Sequence, residues 1–195
     1  MNKTLLALFA AAGLCFAGAT TAATTTPHDK AARDQAIKAA DSQYKADKDA
    51  CKSLSGNAKD ICMQEAKGKE KVAKADAKAQ YDATPKARES ARLARAEATY
   101  DVAKEKCDDL SGNQKDVCVK EAKAGYTKAK ADAKVDRVAA DTSQTAVKKT
   151  ADAKKDAAED KRDADYKVAV EKCDSLAGAA KDTCVRDAKA KFGKT

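Results

Sequence analysis

The apolar positions of this chain recur in one pattern that is present three times. Cysteines come in pairs that are eleven positions apart; a tyrosine precedes each pair by seven positions, and a leucine follows its first cysteine by three. The flanks consist mainly of Ala, Lys, Glu, Gln and Arg, which are strong helix formers. The pattern therefore predicts a helix on each side of every pair, with tyrosine, first cysteine and leucine on one face. The positions are Tyr44, Cys51, Leu54 and Cys62; Tyr100, Cys107, Leu110 and Cys118; Tyr166, Cys173, Leu176 and Cys184.

The segments around the cysteines are copies of one unit. They cover residues 51–67, 107–123 and 173–189. Internal repeats of this kind precede any other interpretation of the fold. The first cysteines of successive copies are 56 and then 66 positions apart. A strict solenoid keeps its period, so the unequal spacing favours three linked modules.

Each cysteine pair is predicted to form a disulfide across a turn. On one continuous helix, eleven residues would separate the two cysteines by about 16 Å. A disulfide requires Cα atoms within about 7 Å, so the chain must reverse between them. The sequence offers a glycine midway, at Gly56, Gly112 and Gly178. We therefore expect antiparallel helical hairpins with facing cysteines.

The residues beside these glycines suggest how the two helices end and begin. Glycine in the left-handed conformation commonly terminates a helix. Asn57 and Asn113 then become candidate caps of the second helix. The third copy carries Ala179 at this place. We therefore expect its second helix to begin less firmly, by about 1 kcal/mol.

The composition excludes large hydrophobic cores. Leu, Ile, Val and Phe account for 17 of the 173 residues after Ala22, roughly 10%, against the ~20% below which packed cores are rare. This excludes an ordinary α/β enzyme domain or a β-sandwich. Disulfides can substitute for a core. The predicted fold is all-α, with three disulfide-stapled antiparallel helical hairpins linked in an elongated or loosely packed array.

The N-terminus has the pattern of a cleavable secretory signal. Lys3 precedes an apolar stretch from Leu5 to Ala19, and small residues follow around Ala22. The stretch is shorter than the ~20 residues of a membrane span. Removal of the signal leaves six cysteines, an even number that is typical of a secreted disulfide framework. We divide the chain into a signal peptide (1–22), a leader with the start of the first helix (23–41) and three hairpins (42–83, 84–141, 142–195).

Candidate catalytic and metal sites have little support. Redox motifs favour two residues between cysteines, and zinc sites two to four, whereas ten intervene here. His28 is the only histidine, and it has no evident partner. A stripe of carboxylates occupies one face of a predicted helix, but lysines and Arg162 are interleaved, which is typical of a solvated face. We therefore expect no enzyme activity, no metal and no cofactor. The stripe comprises Asp152, Asp156, Glu159, Asp160 and Asp163.

Three arginines are the candidate contact for an anionic partner. Arg88, Arg92 and Arg95 share one helix face, and the formal net charge is +8. This combination favours weak polyanion binding, to lipopolysaccharide or nucleic acid. Interleaved acids and the lack of neighbouring aromatic residues exclude specific nucleic-acid recognition.

The repeated motif Y-x6-C-x2-L-x-G-x2-K-D-x-C resembles small secreted helical-repeat proteins of Gram-negative bacteria. Some of them carry the label cell envelope biogenesis protein TolA, although the chain shares with true TolA only the Ala/Lys-rich helical composition. The resemblance implies a protein of the cell envelope. The signal pattern and the lack of a later apolar segment predict a periplasmic protein with no membrane anchor after signal cleavage. Its expected role is a non-enzymatic structural or interaction module with an unidentified envelope partner. The alternatives are a periplasmic chaperone or stress holdase and the weak polyanion binder.

Overall fold

The computed structural model of the protein describes residues 28–140 and 146–194. The predicted signal peptide, and the predicted boundary between the second and third hairpins, lie outside these ranges. Within them the regular structure consists of helices. They are α1 (Lys30–Cys51), α2 (Gly56–Asp82), α3 (Pro85–Cys107), α4 (Gly112–Ala139), α5 (Ala146–Cys173) and α6 (Gly178–Phe192).

The helices form a single antiparallel layer. Each described helix packs only on its neighbours in sequence, so that α1 and α6 form the two open edges. Short connections impose the antiparallel order. Because no second layer of residues 28–140 and 146–194 covers the array, the described helices leave both broad faces open. The predicted all-α array of three stapled hairpins is confirmed.

Local sequence signals fix the boundary between the first two hairpins. Thr84 precedes α3, and its hydroxyl oxygen accepts a hydrogen bond of 3.1 Å from the backbone N–H of Ala87. Pro85 follows as the first helical residue, where its missing N–H costs nothing. Both roles agree with the preference of these residue types for helix starts. The N-cap of α1 is Asp29, whose carboxylate accepts from the N–H of Ala32.

The interior consists of small side chains. The buried hydrophobic residues of the described chain are alanines and the half-cystines Cys51, Cys107 and Cys173, which are fully buried. The three predicted disulfides are confirmed, each joining Cα atoms 5.7 Å apart. Alanine seams let helices approach closely but bury little apolar area per contact. The covalent bridges therefore carry an unusually large share of the stability.

Ion pairs connect neighbouring helices along the exposed faces. Lys71 reaches Glu97 between α2 and α3 at 2.5 Å, and Lys172 reaches Glu121 between α5 and α4 at 2.6 Å. Exposed pairs contribute little individually, about 0–1 kcal/mol. Their repetition along the junctions instead helps to set which helix faces pair.

One ionic cluster joins α1 to α2 and shifts two pKa values. Lys74 lies 2.5 Å from Asp41 and 2.7 Å from Glu70. The hydrogen bond with Lys74 lowers the pKa of Asp41, and the hydrogen bonds with Asp41 and Glu70 raise the pKa of Lys74. A carboxyl group whose pKa is lower in the folded protein than in the unfolded chain stabilises the fold at pH values above its unfolded pKa. This contribution is lost as the pH falls through the lowered pKa of Asp41.

Candidate functional site: the loop edge and the arginine face

The three disulfide loops lie at one end of the layer and repeat one geometry. We call this end the loop edge: residues 51–57, 107–113 and 173–179. In each loop the backbone N–H of the leucine donates to the carbonyl of the preceding half-cystine, at 3.0–3.1 Å. The leucine side chains are 40–43% exposed. The loop edge therefore presents Leu54, Leu110 and Leu176 in equivalent positions.

The position of these leucines corrects the sequence interpretation. We expected Leu54 on the same helix face as Tyr44 and Cys51, but α1 ends at Cys51. Each leucine belongs to the turn that follows the first helix, because the chain reverses immediately after the half-cystine. The leucines therefore do not pack in the seam between the helices of a hairpin.

The turn glycines adopt the predicted left-handed conformation, but they begin the second helix of each hairpin and do not end the first. Gly56, Gly112 and Gly178 have φ of +56°, +55° and +55°. Instead of ending the first helix, each is the first residue of the second. Their left-handed conformation favours glycine, since other residues pay about 1–2 kcal/mol there. The loop edge thus depends on glycine at all three turns.

Asn57 and Asn113 connect successive modules and do not cap helices. The side-chain amide of Asn57 donates to the carbonyl of Glu105 at 2.9 Å, and that of Asn113 donates to the carbonyl of Glu171 at 3.0 Å. Each amide thus bonds the last turn of the first helix in the next module. Ser55 and Ser111 occupy the cap positions without side-chain cap bonds. The predicted capping role was wrong, and with it the reason for a weaker start of α6.

The alanine of the third copy now has a structural explanation. Ala179 belongs to α6, which packs only on α5 among the described helices, so that no described helix lies where an asparagine could bond it. The presence of asparagine in the first two copies, and its loss in the last, is the sequence signal for an inter-module contact. Because a capping role explains the same residues equally well, the signal was misassigned.

We predict that Asn57→Ala and Asn113→Ala each lower the free energy of unfolding by about 1 kcal/mol, the usual net value of one hydrogen bond. The matched control is Ala179→Asn, which should gain no such bond because α6 packs only on α5 among the described helices. Urea denaturation followed by circular dichroism measures all three variants. Equal effects at positions 57 and 179 would contradict the inter-module role.

The three candidate arginines lie together along one groove of α3. Arg95 binds both carboxylate oxygens of Asp76 on α2 at 2.6 Å. Arg92 pairs with Asp136 on α4. Arg88 donates to the backbone carbonyl of Ala83 at 3.1 Å. The structure therefore brings the predicted cluster together and pairs two of its charges with neighbouring helices.

The carboxylate stripe of α5 is partly neutralised by lysines. Asp156 lies 3.1 Å from Lys134, and Asp163 lies 2.5 Å from Lys194. The hydrogen bond with Lys194 lowers the pKa of Asp163. In the ranges 28–140 and 146–194, no group of His, Cys, Asp and Glu is arranged to hold a metal ion.

None of the described helices has both the length and the apolar character needed to cross a membrane. Comparison of the chain with protein-family profiles, curated proteins and solved structures finds no match. The surfaces described above are therefore interpreted from their own chemistry.

Proposed function

We propose that this protein is a non-enzymatic structural or protein-interaction module of the bacterial cell envelope, located in the periplasm after cleavage of a signal peptide at residues 1–22. Three disulfides are typical of a protein that matures in an oxidising compartment. The N-terminal sequence pattern supports export. The periplasm of a Gram-negative bacterium is an oxidising compartment that proteins reach by export.

The observation that carries the proposal is the loop edge. Leu54, Leu110 and Leu176 are exposed at equivalent positions of three disulfide-bonded loops. The bonds from Asn57 and Asn113 fix each loop relative to the next module. A partner with several weak apolar contacts would gain affinity by engaging the loops together, since linked sites raise the effective concentration.

Site-specific photo-crosslinking in the periplasm tests this function. A photoreactive residue at Leu110 should give discrete adducts with an envelope protein, and Leu→Ser substitutions at Leu54 and Leu176 should weaken them. The control is a photoreactive residue at Val147, which is 83% exposed but lies outside the loop edge. Retention of the protein in the cytoplasm, or equal adducts from both positions, would overturn the proposal.

Weak polyanion binding is a second candidate function. It is supported by the convergence of Arg88, Arg92 and Arg95 on one groove, while the ion pairs with Asp76 and Asp136 reduce the charge they offer. The holdase alternative has less support. A holdase uses broad apolar surface, and the large apolar side chains exposed in the described chain are three loop leucines and Val147.

A further inference from the structure

An apolar groove runs along the junction of the first two modules. It lies between α2 and α3 and has a volume of about 550 Å³, within the range of small-molecule sites. Gly68 and Val72 contribute from α2, and Ala98 and Val102 from α3. The groove is an opening in the broad face of the layer, and it extends along α3 to Lys106, next to the loop edge.

The groove exists because the facing side chains are unusually small. Gly68 packs so closely on α3 that a Cβ atom built there would lie 2.9 Å from the Cβ of Ala98. One turn further along α2, the short Val72 lines the same groove as Thr99 and Val102 of α3. The apolar groove is left where α2 and α3 approach closely and the side chains beside the contact are short.

The second junction of the array provides an internal comparison. Alignment on the cysteines places Ala124 and Lys128 of α4 where Gly68 and Val72 lie in α2, and Asp165 of α5 where Thr99 lies in α3. Lys128 and Asp165 form an ion pair of 2.5 Å across that junction. The place that is apolar in the first junction is therefore bridged by charges in the second.

The apolar groove leads directly into the arginine groove. Arg95 borders both, and the second groove, of about 480 Å³, is also lined by Arg88, Arg92 and Gln80. Ten residues of α3 separate Arg88 from Ala98, a distance of about 15 Å along the helix. An apolar groove of this length that leads to guanidinium groups is complementary to a molecule with an alkyl chain and an anionic head.

We propose that this junction binds a free, single-chain anionic amphiphile. Its alkyl chain lies over Val72 and Ala98, and its carboxylate, sulfate or phosphate head contacts the guanidinium of Arg88, which is held by a backbone carbonyl. Arg92 and Arg95 are paired with Asp136 and Asp76, which leaves Arg88 as the contact for the head group. The proposal is independent of the loop edge and goes beyond the interaction role proposed above.

Isothermal titration of the oxidised full-length mature protein with monomeric dodecanoate tests the proposal. We expect one equivalent to bind, and we expect no comparable binding of dodecyltrimethylammonium, which has the same chain with a cationic head. The double variant V72K/T99D installs the ion pair of the second junction in the groove. It should weaken dodecanoate binding about tenfold or more, since it displaces methylene contacts.

Two further variants separate the groove from general effects. K128V/D165T makes the reverse exchange at the equivalent positions of the second junction. It should leave the affinity of the first groove for dodecanoate unchanged. Arg88→Gln should weaken dodecanoate binding, because it removes the guanidinium that contacts the head group. Circular dichroism verifies that each variant is folded.

Three results would overturn the proposal. One is unchanged binding by V72K/T99D, and another is equal binding of the cationic amphiphile. The third is binding to phosphatidylglycerol vesicles without any response to monomeric dodecanoate, which would assign the surface to membranes. Because none of these measurements involves the loop leucines, failure here and failure of the proposed interaction role remain distinguishable.

Discussion

Reduction of the three disulfides is expected to abolish the cooperative thermal transition of this protein. Each bridge closes a loop of about a dozen residues and contributes roughly 3 kcal/mol by restricting the unfolded chain, so that three contribute about 9 kcal/mol. Native domains are stable by only about 5–15 kcal/mol in total. Here the buried hydrophobic residues are alanines and half-cystines, which leaves little hydrophobic stabilisation to offset the loss.

Single bridges allow the effect to be divided. Cys107→Ala with Cys118→Ala should lower the melting temperature by about 6–12 °C, from about 3 kcal/mol at 2–4 °C per kcal/mol for a protein of this size. Differential scanning calorimetry measures the shift, with the oxidised protein as the control. Far-ultraviolet dichroism alone would underestimate the change, because long Ala-rich helices retain part of their helicity when isolated. Identical transitions before and after reduction would refute the stabilising role.

The parts of the fold that were predicted from sequence are those set by local chemistry. The reversal of the chain within each hairpin follows from the cysteine spacing. A disulfide cannot join residues that are eleven positions apart on one continuous helix, so the chain must turn between them. The cap of α3 by Thr84, followed by Pro85, is set in the same way, because the preferences of these residues at helix starts act within one turn. Both features involve residues less than a dozen positions apart, and the structure confirms the predicted disulfides.

The parts that were missed depend on the partner helix in the next module. Asn57 bonds a carbonyl 48 positions away, and nothing within its own hairpin distinguishes that role from capping. Leu54 fits the helix face by spacing, but α1 ends at the half-cystine before it. The groove requires the alignment of α2 against α3, so the meaning of Val72 and Thr99 emerges only when Lys128 and Asp165 are seen to pair. The sequence repeats therefore predict the fold of one module more readily than the packing of that module on the next one.

Gly68→Leu is expected to separate the first module from the second, whereas Gly125→Leu should be tolerated. Both positions are glycines inside helices, so each substitution gains about 0.8–1 kcal/mol of helix propensity. A Cβ at Gly68 would lie 2.9 Å from the Cβ and 3.6 Å from the Cα of Ala98, whereas one at Gly125 would meet nothing within 4 Å. Because a backbone is involved, the clash cannot be relieved by rotating a side chain.

The two variants should therefore differ in free energy of unfolding by about 3 kcal/mol, near the upper end of the cost of overpacking. Urea denaturation of both variants measures the difference directly, because the gain in propensity cancels between them. Gly125→Leu should itself be slightly stabilising. Equal stability of the two would show that α2 and α3 do not approach as closely as Gly68 and Ala98 indicate. In that case the apolar groove beside Gly68 would lose its structural basis, because it depends on the same close approach.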